Sequence, residues 1–381
     1  MEYKVAILQH RLLHYRVDFF DRLRKLCFDR NIDCHLVHGQ ATLTEKSKND
    51  EGVLEWADKT HNNYVRVGSR DILWQPLPDS VCDADLFVIM QENRILSNYP
   101  LMLRGKFGGP KVAYWGHGVN FQSDAPGGLP ERWKHFLVRQ VDWWFAYTDL
   151  TAEIVRCTGF PAERITCLNN AIDTSAFSKT VESITHEELT QIRKGLGLND
   201  TSRVGILCGS LYSDKRLDLL VEATTMIRNK VKDFHVVVIG SGPAKTFIEQ
   251  AARAYPWLHP VGARFGREKA IYFKLAEVMV NPGVLGLHIL DAFSVGLPVV
   301  SISNARHGPE IAYLHNGVNG VLTGDTVDEY ADAVTRLLSD EAWRESLSTN
   351  ALASSLNYTV EKMAERFVAG LSGCLAAGKL E

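Results

Sequence analysis

Short apolar runs rich in β-branched residues alternate with segments of helical periodicity along almost the whole chain. That alternation predicts strand–helix–strand units and parallel sheets. In the first half the strand candidates are residues 5–8, 34–37, 86–90, 112–115 and 143–147. They are continuous runs rather than polar/apolar alternations, as expected where helices cover both faces of a sheet. A second, cleaner series has strands at 204–208, 235–239, 278–280 and 297–302. After its first strand, Leu217, Leu220, Val221, Thr224 and Ile227 fall on one helix face. Val360, Met363, Ala364, Phe367, Val368 and Leu371 mark a last helix, with Thr359 as its cap and no strand after it.

Two weakly periodic stretches interrupt the pattern. Residues 41–59 read as a surface excursion, and 178–200 as a linker between domains at 1–177 and 201–357, with 358–381 as the terminal helix. A length of 381 residues suits two such cores. The formal net charge of −3, from 42 basic and 45 acidic residues, argues against a general nucleic-acid binder. Seven scattered cysteines, with no CxxC pair, point to a reducing compartment and not to a disulfide framework or zinc site. The opening apolar run, residues 5–8, is too short for a signal segment, and no stretch approaches the ~20 apolar residues of a membrane span. The expectation is a soluble, cytoplasmic protein.

Three segments could carry chemistry. Gly240-Ser241-Gly242 follows a strand and begins a dinucleotide fingerprint, but Lys245 stands at the third glycine position; a pyrophosphate cradle and an ordinary tight turn both fit. Gly209 and Ser210 end another strand, and Lys215 sits just ahead of a helix, where a cation and free amides could hold a diphosphate. It could equally be a solvated loop lysine. In the segment 281–302, Gly283 and Gly286 precede a helix opening near Leu287 and His288, and Asp291 lies one turn in. Amides there suit a phosphate and the carboxylate suits a ribose diol; with Lys215 at the corresponding place on the sheet, a nucleotide becomes the better reading.

The order of these motifs over nearly the whole chain resembles the retaining GT-B glycosyltransferases of the large family 4 type, which assemble bacterial polysaccharides and lipid-linked glycans. The matching pieces are Leu168-Asn-Asn-Ala-Ile-Asp173 with Phe177, the Lys215 loop, Ile239-Gly-Ser-Gly-Pro243, Val261-Gly262 with Tyr272-Phe273, Gly286 to Pro298, and Pro309-Glu310-Ile311 running on to Asn316-Gly-Val-Asn-Gly-Val321. The resemblance implies two Rossmann-like domains facing each other across a cleft, the first binding acceptor and the second nucleotide sugar, with the last helix crossing back to the first. It makes Lys215 the donor-diphosphate cation and Asp291 the ribose-binding acid. The amides around Gly286 and Leu287 would face donor sugar and phosphate. His117, in Tyr114-Trp-Gly-His-Gly118, would approach the transferred sugar.

Two positions depart from the family pattern. Ser210 replaces an Arg, and the E-x7-E pair is degenerate, with Gly283 at its first position and Asp291 at its second. Arg216 or Arg264 could replace the missing cation, and His307 and Glu310 offer alternative polar contacts. On the acceptor side, His10, Arg11, His14, Tyr15 and Arg16 close the first strand and open the next loop. Such basic and aromatic residues would suit an anionic lipid-diphosphate headgroup or a membrane surface, although the neighbouring aromatics could simply pack the helix. The expected activity is retaining transfer of a sugar from a UDP- or GDP-type donor to a glycan or lipid-linked hydroxyl, without metal or other cofactor. A nucleotide-sugar epimerase or dehydrogenase using the Gly240 loop, and a catalytically degenerate sugar-nucleotide-binding protein, are the alternatives.

Overall fold

The structure, a computed structural model, describes residues 1–46, 50–68, 70–118 and 129–380. It divides into two compact units, Met1–Asp173 with Val360–Glu381, and Thr174–Thr359.

The first unit runs β1 (Tyr3–Arg11), α1 (Val17–Phe28), β2 (Ile32–Gly39), α2 (Leu43–Lys46), β3 (Asp58–Lys59), β4 (Asn63–Val67), β5 (Arg70–Trp74), β6 (Leu86–Met90), α3 (Asn98–Lys106), β7 (Lys111–Gly116), α4 (Leu129–Leu137), β8 (Trp143–Ala146), α5 (Asp149–Cys157) and β9 (Ile165–Cys167). Its seven-stranded sheet has the order β3-β2-β1-β6-β7-β8-β9, while β4 and β5 form a separate antiparallel hairpin. The strand pairs of the large sheet are parallel. Such strands are buried on both faces, which is why Leu86, Phe87, Val88 and Ile89 form an unbroken apolar run.

The C-terminal helix (Val360–Ala376) belongs to this unit, and all six residues of its expected face are buried. Phe367 stacks on Phe145 with ring centroids 4.3 Å apart and meets Trp115 edge-on at 5.1 Å. At the other end Lys111 Nζ donates to the carbonyls of Cys374, Leu375 and Ala377. A cation there satisfies acceptors that the helix end leaves open.

The second unit runs α6 (Ser175–Glu182), α7 (His186–Gly195), β10 (Arg203–Cys208), α8 (Leu217–Lys230), β11 (Phe234–Ile239), α9 (Lys245–Ala254), β12 (Leu258–Gly262), α10 (Gly266–Leu275), β13 (Val278–Val280), α11 (His288–Ser294), β14 (Val299–Ile302), β15 (Gly320–Thr323), α12 (Val327–Ser339) and α13 (Glu341–Ser355). Its parallel sheet has the order β12-β11-β10-β13-β14-β15. Leu217, Leu220, Val221 and Ile227 of the expected face of α8 lie in one core with Phe234, Tyr330 and Val334, and Thr224 is buried as well.

The stretch 178–200 is not a linker. It forms the end of α6 and all of α7, and α7 opens with a capping box between Thr185 and Glu188. Arg267 then binds Glu188 at 2.7 Å and Ser183, which fixes this pair of helices to α10. Its sequence looked weak because α7 is short and polar and buries no side chain completely.

Candidate functional site

Each large sheet reverses its strand order once, between β1 and β6 in the first unit and between β10 and β13 in the second. At such a point adjacent loops leave in opposite directions, and a crevice opens beyond the carboxyl ends of the two strands. Of the second unit's candidate residues, those from Gly209 to Arg216 follow β10 and those from Gly283 to Asp291 follow β13, while Gly240 and Gly242 follow β11, Arg264 follows β12, and His307 and Glu310 follow β14.

Lys215 ends a single 3-10 turn after β10, with only 6% of its surface exposed. Its Nζ donates to the carbonyl of Val284 at 2.5 Å and to Asn281 Oδ1 at 3.4 Å. Burial lowers its pKa to about 8. An ammonium has three protons, so these two contacts leave one N–H for a ligand. A Cβ built on Gly209 would stand 3.6 Å from this Nζ and 3.7 Å from His288 Nδ1, so both side chains converge on the glycine. His288 Nε2 is buried with no hydrogen-bond partner. Burial, then Lys215 and Lys269, pushes this imidazole well below its ordinary pKa, so it is neutral at pH 7.

Asp291 is buried as well, and its Oδ1 lies 2.9 Å from Lys269 Nζ. Burial raises its pKa and Lys269 opposes the rise. Lys269 in turn lies 4.4 Å from the ring centre of Phe177 and 5.7 Å from that of Phe273. The acid expected to read a ribose thus already holds a lysine against two rings. Neither Lys269 nor Asn281 was expected at this site from sequence. Lys269 sits three and four residues ahead of Tyr272 and Phe273, on their helix, and Asn281 immediately follows a strand; those positions are the only local signals.

The remaining donor candidates divide. Gly240 and Gly242 face the backbone of the neighbouring turn: a Cβ at Gly240 would fall 1.9 Å from the Gly209 carbonyl oxygen, and one at Gly242 2.5 Å from that of Leu211. These glycines let two turns stack, and no pyrophosphate cradle is needed to explain them. His307 accepts from the Leu285 N–H at 3.1 Å through Nδ1 and donates to the Ile302 carbonyl at 2.7 Å through Nε2. Both ring nitrogens are therefore engaged in holding the loop. Glu310 is buried, and its carboxylate borders Gly308. Arg216 pairs with Asp325 at 3.0 Å, and Arg264 approaches Glu268 at 3.7 Å. Ser210 is exposed; Gly286 borders His288, and Leu287 leads into α11. Gly283 lies against the backbone of Asp214 and Lys215, and Val284 N donates to the Asp214 carbonyl at 2.9 Å.

In the first unit the reversal point gathers charge of both signs. His10 Nε2 lies 3.3 Å from Glu45 Oε1, Arg11 pairs with Asp50 at 2.5 Å, and Arg94 pairs with Glu92 at 2.6 Å. The hydrogen bond from His10, followed by that from the Thr42 backbone, holds the Glu45 carboxyl well below the usual range. The polar excursion at 41–59 thus supplies Glu45 and Asp50 to neutralise a region read from sequence as basic. His14 is exposed, with Nδ1 3.2 Å from the Asp50 carbonyl, and its ring meets Tyr15 edge-on. Arg16, the last of the expected acceptor contacts, is buried, donates to Asn170 Oδ1, and lies 5.2–5.9 Å from the ring centres of Tyr15, Phe19, Trp115 and Tyr147. His117 is exposed and stacks on Tyr147 at 4.2 Å. Gln91 clasps the following residue, exchanging hydrogen bonds of 2.9 Å with both the N–H and the carbonyl of Gly118.

Among the described residues no group of three His, Cys, Asp or Glu side chains is placed to hold a metal ion, and no helix is long and apolar enough to cross a membrane.

Residues 202–340 match the protein family described as glycosyl transferases group 1. The chain is 27% identical over 209 residues to an uncharacterised glycosyltransferase of Methanocaldococcus jannaschii, covering 53% of this chain and 52% of that protein. It is 23% identical over 207 residues to the alpha-monoglucosyldiacylglycerol synthase of Acholeplasma laidlawii, covering 52% and 50%. The chain thus spans about half the length of these curated relatives. Among solved structures, Anabaena HepE in complex with UDP superposes with a TM-score of 0.70 at 15% identity, covering 97% of this chain and 99% of that one. At that identity the likeness is one of fold: the chain has the GT-B fold, with two Rossmann-like halves, as the sequence led us to expect.

Proposed function

We propose that this protein is a glycosyltransferase that moves a sugar from a nucleoside-diphosphate donor to a hydroxyl of a glycan or lipid-linked acceptor, with retention of configuration. The observation that carries the reading is the convergence of Lys215, Gly209 and His288 where the strand order of the second sheet reverses. The match of residues 202–340 to group 1 glycosyl transferases covers this region, and the HepE complex with UDP supports a nucleotide ligand.

In this reaction Lys215 directs its remaining N–H to the diphosphate. The ammonium is mostly charged at neutral pH, and in a buried site it stabilises the negative charge that grows as the sugar departs. The acceptor hydroxyl attacks from the face the phosphate leaves, and the leaving phosphate oxygen takes its proton. His117 keeps the proposed role of touching the transferred sugar, and His10, Arg11, His14 and Tyr15 that of meeting the acceptor. The protein would work in the cytoplasm, with peripheral access to a lipid-linked acceptor. The lipid product named for the Acholeplasma relative agrees with such an acceptor.

A panel of UDP- and GDP-sugars, assayed for release of nucleoside diphosphate, tests the proposal, and the anomeric NMR signal of the product tests retention. Nucleotide binding without turnover across donors and acceptors would favour the degenerate binding protein instead. That second reading draws support from Gly283, whose position leaves no space for the first acid of the family pair. An epimerase or dehydrogenase acting through the Gly240 turn is opposed by the packing of that turn against residues 209–211.

A further inference from the structure

At the β1–β6 reversal of the first unit the charged side chains form one connected network. Glu45 Oε1 is its hub, 3.3 Å from His10 Nε2, 4.0 Å from Arg11 Nε and 3.6 Å from Arg94 Nη2. Its other oxygen accepts from the N–H and the hydroxyl of Thr42, each at 3.0 Å, so the carboxylate is held in place. Beyond the hub, Arg11 pairs with Asp50 at 2.5 Å and Arg94 with Glu92 at 2.6 Å, and His10 Nδ1 lies 3.8 Å from Glu92 Oε1. Asn62 Nδ2 donates to the His10 carbonyl at 2.6 Å, which fixes the end of β1 that carries His10 and Arg11.

The balance of charge in this network bears on what it can hold. With His10 neutral, the guanidiniums of Arg11 and Arg94 stand against the carboxylates of Glu45, Asp50 and Glu92, and a proton on His10 brings only balance. The side chains of Asp50, Glu92 and Arg94 are 25%, 29% and 29% exposed, within reach of a ligand, whereas that of Arg11 is only 8% exposed. A phosphate or carboxylate approaching either arginine would have to displace an acid already paired with it. That like-charge encounter takes place in a partly desolvated site, where it is costly.

A sugar hydroxyl meets no such conflict, because it donates and accepts at once. A paired carboxylate keeps lone pairs free, and a paired guanidinium keeps N–H groups free. Adjacent hydroxyls of one ring can therefore donate to Glu92 and accept from Arg94 without parting the two. The same alternation of acceptor and donor continues at Glu45 and His10.

We propose that the first unit reads, through Glu45, Glu92 and Arg94, the hydroxyl groups of an uncharged sugar, and that it disfavours a sugar carrying a phosphate or carboxylate at this point. The proposal rests on the reading of this unit as the acceptor side of a glycosyltransferase and gives that acceptor a chemical class. The end of a glycan and the head of a neutral glycolipid present the same ring.

Saturation-transfer NMR on the full chain, with UDP or GDP filling the nucleotide site, tests this with methyl glycosides of glucose, galactose, mannose and N-acetylglucosamine against the 1-phosphates of the same sugars. At least one methyl glycoside should bind wild type, and its 1-phosphate should bind at least about tenfold more weakly, since only the added charge separates them. Glu45→Gln should weaken glycoside binding about tenfold by taking the charge from the hub. Glu92→Gln, at a partly exposed site, keeps the test open should Glu45→Gln melt early: it leaves Arg94 with cation to spare and should bring the 1-phosphate to within about threefold of the glycoside. Octyl glycosides binding more tightly than methyl ones would support an uncharged sugar on a glycolipid, and equal binding would support one on a glycan. No glycoside signal, a 1-phosphate bound as tightly as its glycoside, or an unchanged preference in folded Glu92→Gln would overturn the proposal. Release of nucleoside diphosphate from UDP- and GDP-sugars checks the transferase separately. The expected binding pattern without release would overturn the transferase and support the sugar class, whereas release with 1-phosphates as the better acceptors would overturn the sugar class alone.

Discussion

The backbone of Lys215 stands where a side chain at position 283 would have to be: a Cβ added to Gly283 would come within 2.5 Å of Lys215 Cα and 2.1 Å of the Asp214 carbonyl oxygen. Glycine at 283 and the inward position of the Lys215 turn are one arrangement. Gly283→Ala should therefore destabilise the second unit by about 1–3 kcal/mol, the range for an overpacked site. Gly283→Glu should restore no activity and should weaken nucleotide binding by displacing the turn. Thermal melts and calorimetric titration with UDP and GDP check both, and a Gly283→Glu variant that melts normally and binds more tightly would show that the turn moves at little cost.

Nucleotide affinity should fall with rising pH. Burial lowers the pKa of Lys215 to about 8, so the cation that attracts a diphosphate is present below that value and lost above it. Between pH 7 and 9 the dissociation constant should rise, approaching tenfold per unit at the upper end. Lys215→Met should remove this dependence and cost about 1.5–3 kcal/mol of binding at pH 7, the range for a hydrogen bond to a charged group. A parallel pH profile in wild type and variant would rule Lys215 out as the diphosphate cation.

Asp291→Asn should affect stability as well as donor binding, because it takes the counter-charge from the mostly buried Lys269. A loss of about 3–5 kcal/mol is expected for breaking a buried pair from one side. The double variant Asp291→Asn/Lys269→Met should regain much of the melting temperature, yet still bind nucleotide weakly if the acid also meets the ribose.

Arg16 should matter to folding of the first unit. Its guanidinium is buried among four aromatic rings and bonded to Asn170, so Arg16→Ala should cost about 2–4 kcal/mol from lost packing, cation–π contact and hydrogen bonding. Urea denaturation measures this directly. An unchanged midpoint with weaker acceptor kinetics would return Arg16 to the acceptor surface.

His259 gives a test of pH and stability. It is partly buried in β12 with its Nε2 3.0 Å from His235 Nδ1, and burial, then His235, lowers its pKa to about 4. The folded state binds this proton less readily than the unfolded chain, so the stabilising contribution of the neutral ring is complete above pH ~6.5 and is lost as the pH falls toward 4. The nearby Asp233 and Arg228 act on the pair through His235, Asp233 favouring its protonated form and Arg228 opposing it. His259→Gln should flatten the dependence of the urea midpoint over that window; an equal slope in both proteins would place the titration elsewhere.

Sequence by itself determined the architecture where the pattern was strong. The runs at 204–208 and 235–239 are strands, the Leu217 to Ile227 stripe is the buried face of α8, and the Val360 to Leu371 stripe is the buried face of the terminal helix. Continuous apolar runs and a 3.6-residue period survive any tertiary context in which both sheet faces are covered. Strands without that signal, such as β12 with its His259 and Pro260 and the two-residue β3, are held by pairing with a neighbour and had no local mark. The candidate site shows the same division. Glycine loops after β10 and β13 and the lysine between them were legible, because the order of βα units places them at one end of the sheet. Only tertiary structure decided that Lys215 turns inward onto Asn281 and Val284, that Asp291 holds Lys269, and that Glu45 and Asp50 sit against His10 and Arg11. Each depends on a partner from another segment, and a charged side chain in sequence carries no mark of whether water or a distant counter-charge will satisfy it.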